Sequence, residues 1–233
     1  MDFANLALRA FDPEGSDNEA DPPNDVFPAQ NLTVTPQVQE LAFPPLAQPI
    51  KLWVDASPGC GGIAWPAGQV LSQYLVNTRS DTLCGKRILE LGSGTGLVGL
   101  VAGMLGAQVT VTDQAQLLAL MHKNVALNAL EENVAVAELD WANPIPHAML
   151  DPDIVLAADC VYFEPAFPLL VSTLKNLATQ RTEILFCYKR RRKADKRFFA
   201  LLGKEFTWTH VQDDPNKATY ERDGIYLYRL TKK

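Results

Sequence analysis

The sequence predicts an α/β domain with a doubly wound, mostly parallel seven-stranded sheet and an antiparallel C-terminal strand pair. Three observations carry that prediction. From residue 86 onward, short apolar runs of strand length alternate with helical patterns. The first run, Ile88-Leu-Glu-Leu, opens into Gly92-Ser-Gly-Thr-Gly96, a turn into a helix. The second run ends in Asp113, 17 residues beyond Gly96.

Taken in order, segment 31–55 reads as short extended pieces interrupted by prolines, suited to a small hairpin before the main sheet. Gly59 to Gly62 is a flexible stretch, and Ile63-Ala-Trp-Pro-Ala-Gly leads into a helix over 69–76. Strands are expected at 86–91, 108–113, 134–140, 153–159 and 183–188, with crossover helices at 95–105, 115–129, 164–178 and 194–204. The first crossover helix carries Gly96, Gly99 and Gly103, ends at Gly106, and is apolar all round. Interior glycines weaken a helix, so this one is read as packed close against the sheet. Phe206 to Gln212 and Ile225 to Leu230 are two further strands, expected to pair antiparallel through a polar loop without a helix.

Composition bounds the rest. A chain of 233 residues, 47% hydrophobic and 21% charged, suits one globular domain. The formal charge of −6 is concentrated in residues 1–30, where seven acids face Arg9 alone, so the remainder is balanced. That acidic, proline-rich segment has the composition of a disordered tail. The expected organisation is therefore a tail over 1–30 and a single domain over 31–233, divided into an extension (31–65) and a core (66–233). No apolar run reaches the ~20 residues that span a bilayer, and the N-terminus lacks a signal-peptide pattern, so a cytoplasmic protein is expected. Cys60, Cys84, Cys160 and Cys187 are far apart, and His122, His147 and His210 are scattered, so no metal site or disulfide framework is expected.

The glycine loop predicts a nucleoside pocket, and its spacing selects among nucleosides. A dinucleotide fingerprint wants a third glycine where this chain has Leu97, and Glu90 stands two residues before Gly92. A carboxylate there repels pyrophosphate and suits a cation. S-adenosylmethionine, with its amino group, sulfonium and ribose, fits acidic residues at two strand tips better than NAD does. Asp113 offers two oxygens to ribose hydroxyls, and Asp140 and Trp141 offer a polar edge and a flat wall for adenine. The fourth strand ends in Ala157-Ala-Asp-Cys-Val-Tyr162, placing a carboxylate and a phenol at the same end of the sheet. Asp159 there can attract an incoming ammonium and Tyr162 can orient the amine. Residues 189–197 hold seven bases and one acid. That run suits RNA phosphate, an acidic protein surface, or a solvated helix face backed by Phe198, Phe199, Leu201 and Leu202.

Together, Trp65 in Gly-Ile-Ala-Trp-Pro-Ala-Gly, Glu90 through Gly96, Asp113, Asp140-Trp141 and Asp159 to Tyr162 resemble the class I, seven-strand protein-lysine methyltransferases of the methyltransferase-like group. The likeness extends over about residues 50–230. It implies a Rossmann-like methyltransferase fold with S-adenosylmethionine as cofactor and S-adenosylhomocysteine as product. By the same resemblance, the cofactor contacts fall on Trp65, Gly92, Ser93, Gly94, Asp113, Trp141 and Ala158, and the D-x-x-Y element on Asp159 and Tyr162. Glu90, Gly96 and Asp140 complete the expected cofactor set. Enzymes that methylate amino groups of nucleic acids carry Asn or Asp-Pro-Pro-Tyr at this place. Cys160-Val161 replaces both prolines here. The segment from Tyr188 to Phe198 is most similar to the fungal branch that modifies translation elongation factor 1-alpha. The expected partner is thus a protein, an elongation factor, met by a monomer without membrane attachment. Two alternatives stay open: an RNA or small-molecule methyltransferase, and a non-catalytic cofactor-binding module that recognises a partner.

Overall fold

A computed structural model describes residues 36–57, 60–191 and 195–233. The expected tail over 1–30 lies outside the described residues. The first elements are strands β1 (Gln37–Leu41) and β2 (Ile50–Val54), which pair antiparallel as the expected hairpin. Helix α1 (Pro66–Thr78) begins three residues earlier than the sequence pattern suggests, with Pro66 in the first turn, where its missing N–H costs nothing.

From there the alternation is regular. Strands β3 (Arg87–Leu91), β4 (Gln108–Asp113), β5 (Val134–Glu138), β6 (Ile154–Ala158) and β7 (Glu183–Lys189) are separated by helices α2 (Leu97–Met104), α3 (Ala115–Leu127) and α4 (Phe167–Leu177). Helix α5 (Asp195–Glu205) then leads to β8 (Phe206–His210), α6 (Lys217–Arg222) and β9 (Ile225–Lys232). The short helix α6 corrects the reading of residues 213–224 as a plain polar loop. It packs Tyr220, 3% exposed, into the core, an anchor too brief to show as a periodic pattern.

The main sheet has seven strands in the order β5-β4-β3-β6-β7-β9-β8. Neighbours from β5 to β7 pair parallel, and β9 inserts antiparallel to both β7 and β8. Strand β3 is flanked by β4 and β6, so the winding reverses there. The carboxyl ends on either side of that point form a crevice where open α/β sheets take ligands.

Helices cover both faces. One side buries Leu71 and Leu75 of α1, Leu100 and Val101 of α2, Met121 of α3 and Leu52 of β2. The other buries Leu170 and Leu174 of α4 and Phe198 and Leu202 of α5 against Phe186 and Tyr188. The glycines of α2 do what their helix cost implies. A Cβ on Gly99 would sit 2.2 Å from Val111 Cγ1, and one on Gly103 would sit 2.4 Å from Val134 Cγ2. The hairpin is tied to the same region by α3. Asn124 accepts the Trp53 N–H at 2.6 Å and donates to the carbonyls of Trp53 and Thr95, joining hairpin, helix and glycine loop.

Candidate active site

The crevice is lined by residues from five strand ends and from the turn before α1. Glu90 lies near the end of β3 with Gly92, Ser93 and Gly94 after it, and Asp113 ends β4 with Gln114 next. Asp140 and Trp141 follow β5, Ala158 ends β6 with Asp159 and Tyr162 beyond it, and Arg191 follows β7. Trp65 closes the side formed by α1. Of the residues singled out from sequence, Gly96 stands outside this wall. It caps α2 in the left-handed region with φ of 81°, so its part is to shape the turn.

The floor is a backbone cradle. Gly94 has φ of 56°, and a Cβ there would lie 2.5 Å from the Gly61 carbonyl oxygen. Its N–H donates to Asp113 Oδ2 at 2.8 Å, and the Gln114 N–H donates to Oδ1 at 2.8 Å. Both oxygens are thereby fixed in orientation and keep lone pairs for further donors. Gly92 faces the Trp141 indole and Cys160, with 3.2 Å and 3.1 Å left for a Cβ. Asp140 accepts the Ala142 N–H at 2.9 Å, a local turn that holds the Trp141 segment.

Glu90 is 2% exposed, which sets aside the possibility of a surface carboxylate beside a turn. Its Oε2 accepts the N–H of Gly99 at 2.9 Å, one of the donors that the first turn of α2 leaves unpaired. Burial pushes the Glu90 carboxyl up to about 8, with the neighbouring Asp113 adding a smaller upward push. Burial likewise raises Asp113 to about 6, against the hydrogen bonds from Gly94 and Gln114. Burial favours the neutral form of both carboxyls, and a cation placed in the crevice would favour the ionised form. S-adenosylmethionine fits that donor set. Leu97, 3% exposed, lines the crevice where a pyrophosphate site wants glycine.

At the other end, Asp159 sits in the left-handed region with φ of 56° and is 8% exposed. Arg191 donates to it from Nη1 and Nη2, at 2.9 and 3.0 Å. The guanidinium carbon also lies 5.1 Å from the centre of the Trp65 ring. Tyr162, 37% exposed, stands at the rim with Phe163, Ala166 and Leu169. Sequence reasoning had Arg191 inside a basic run and did not assign it to the crevice. The available signal was its place just past the carboxyl end of β7, where such sheets put ligand-side residues. The helix that follows is as expected, with Phe198 and Leu202 buried and Lys196 and Arg197 exposed.

Fold and site together define a doubly wound α/β protein with a crevice at its parallel strand ends and acidic residues at the tips. A family model described as lysine methyltransferase matches residues 46–205. Protein-lysine N-methyltransferase EFM6 of Saccharomyces cerevisiae is 38% identical over 203 residues, covering 75% of this chain and 82% of that protein. Protein N-lysine methyltransferase METTL21A of Danio rerio is 38% identical over 178 residues, covering 75% and 78%. EEF1A lysine methyltransferase 3 of Xenopus tropicalis is 36% identical over 139 residues, covering 59% and 62%. The chain belongs to the lysine methyltransferase family. A Thermus thermophilus 16S rRNA methyltransferase solved with AdoMet and guanosine shares the fold, with a TM-score of 0.63 at 15% identity over 88% of this chain and 53% of that one.

Proposed function

We propose that this chain transfers methyl groups from S-adenosylmethionine to the side-chain amine of a lysine in a protein substrate, with translation elongation factor 1-alpha as the candidate. The observation that carries the reading is the pair of carboxyls, Glu90 buried and Asp113 half-buried, in the wall of one crevice. Asp113 alone would serve the ribose of any nucleoside, and a second carboxyl, Glu90, beside the glycine loop adds a partner suited to the amino group of S-adenosylmethionine. Family membership and the names of the relatives support lysine as the acceptor.

Asp113 would hold the ribose hydroxyls, its oxygens already oriented by Gly94 and Gln114. Trp141, against Gly92, would wall the adenine, with Asp140 at its edge. Glu90, Ser93, Gly94 and Trp65 would receive the amino-acid portion, and Ala158 would lie beside the sulfur. When bound, S-adenosylmethionine supplies an electrophilic methyl group and leaves as the neutral thioether S-adenosylhomocysteine.

The acceptor must arrive as a neutral amine, since an ammonium has no lone pair. The apolar rim of Phe163, Ala166 and Leu169 strips water from the entering lysine, which favours the uncharged form. The Tyr162 hydroxyl at the same rim orients the nitrogen. Two of the seven bases that an RNA acceptor would call on are paired with acids of this chain. Arg191 is spent on Asp159, and Arg197 bonds Glu164. The test is methyl incorporation into unmodified elongation factor 1-alpha, located by mass spectrometry. A methylated lysine supports the reading, whereas label only in ribonuclease-sensitive material overturns it.

A further inference from the structure

The carboxylate of Asp159 is fully engaged. Its Oδ1 accepts the Lys189 N–H at 3.0 Å and Arg191 Nη1 at 2.9 Å. Its Oδ2 accepts Arg191 Nη2 at 3.0 Å and, more weakly, the Ala67 N–H at 3.4 Å. A carboxylate has about four lone-pair directions, and all of them are used. The side chain is 5% exposed, and its partner guanidinium is 20% exposed. Arg191 is anchored in turn. Its own N–H donates to Asp195 Oδ2 at 3.1 Å, and the Arg190 N–H donates to the Gly224 carbonyl at 2.8 Å.

The end of β6, the end of β7 and the start of α1 are therefore joined at one two-toothed ion pair, a geometry that lysine cannot reproduce. A lysine ammonium entering past Tyr162 meets a neutral pair instead of an open anion. This changes the part that the sequence suggests for Asp159, attraction of the ammonium.

We propose that Arg191 is a positioning residue for methyl transfer, clasping Asp159 so that no free carboxylate faces the acceptor nitrogen, and backing Trp65 on the cofactor side. The proposal rests on the lysine methyl-transfer reading. An open buried carboxylate near the amine would hold it as ammonium, raising its pKa by about 1–3 units. Neutral amine would then be scarcer by roughly tenfold for each unit. Arg191 removes that trap while keeping the loop in place.

The test has two arms, both on the full chain. The first uses cofactor alone, with calorimetric affinities for S-adenosylmethionine and for its product, which lacks the sulfonium charge. Arg191→Met opens Asp159 to the crevice and shifts the affinity ratio toward the cation by about tenfold. The double variant D159N/R191M, which removes the anion, returns the ratio to the wild-type value, and Arg191→Lys returns most of it. If R191M does not fold, Arg191→Gln, which loses the charge but keeps a polar side chain, takes its place with a smaller shift in the same direction, and an unchanged ratio there overturns the proposal. A ratio that R191M leaves unchanged, or that the double variant fails to restore, overturns the proposal whatever the acceptor is.

The second arm follows kcat against pH on unmodified elongation factor 1-alpha. R191M moves the acidic limb upward by about one pH unit and lowers both kcat and KM, and the double variant moves the limb back. A rise in kcat/KM for R191M would instead mean that Arg191 blocks an ammonium receptor, and it overturns the clasp. If wild type labels no lysine in this protein, the substrate reading fails while the first arm still decides the clasp.

Discussion

Replacing Glu90 with glutamine isolates the electrostatic cost of the cofactor site. The wild-type carboxyl is raised from an ordinary 4.5 to about 8, chiefly by burial. A folded value above the unfolded one means that the native state holds the proton more tightly. The stability this gives is fully present below about 4.5 and is lost as pH rises through about 8. At ~1.36 kcal/mol per pH unit, the loss is on the order of 5 kcal/mol at its upper bound. For a chain of this size that corresponds to roughly 10–20 °C in Tm. The amide of Glu90→Gln keeps an oxygen for the Gly99 N–H and never ionises. The variant should match wild type near pH 5 and exceed it by several kcal/mol at pH 9, in thermal melts without ligand. It should also bind S-adenosylmethionine more weakly, and that deficit should grow with pH as the wild-type carboxylate ionises. A Tm difference that stays constant from pH 5 to 9 would refute the reasoning, since the group would then not titrate differently in the folded state.

Three further outcomes are expected. Asp113→Ala removes the acceptor of the Gly94 and Gln114 N–H groups and the proposed ribose contacts, so calorimetry should show S-adenosylhomocysteine binding weakened by roughly 100-fold or more; an unchanged Kd would remove Asp113 from the site. Gly99→Ala should destabilise by about 1–3 kcal/mol in urea, although alanine is the better helix former, because its Cβ would meet Val111 at 2.2 Å and Glu90 Oε2 at 2.7 Å; a stabilised variant would show that the sheet can yield. Tyr162→Phe should lower kcat by about tenfold or more while cofactor affinity stays constant, and full activity would remove the hydroxyl from the acceptor side.

Most of the sheet was legible because parallel strands buried on both faces read as apolar runs, and those from β3 to β7 fall within about two residues of their expected bounds. The glycine spacing, Asp113, Asp140-Trp141 and Asp159 to Tyr162 were readable for a related reason. Each closes a strand, and the parallel pairing brings those ends together. Two things were hidden. The insertion of β9 between β7 and β8 depends on register pairs such as Tyr188 with Tyr226, which no local pattern encodes. The pairing of Arg191 with Asp159 links residues 32 positions apart, and within a run of bases Arg191 looks like any solvated cation. The burial of Glu90 and its service to the first turn of α2 required the fold.

The central claim is lysine methylation through this crevice. Its most direct test incubates the purified chain and methyl-labelled S-adenosylmethionine with lysate from cells that lack it, then maps the label by mass spectrometry. Label is expected on a lysine of one protein band, elongation factor 1-alpha being the candidate, and none with Asp113→Ala. Label in nucleic acid, or incorporation that survives Asp113→Ala, would contradict it.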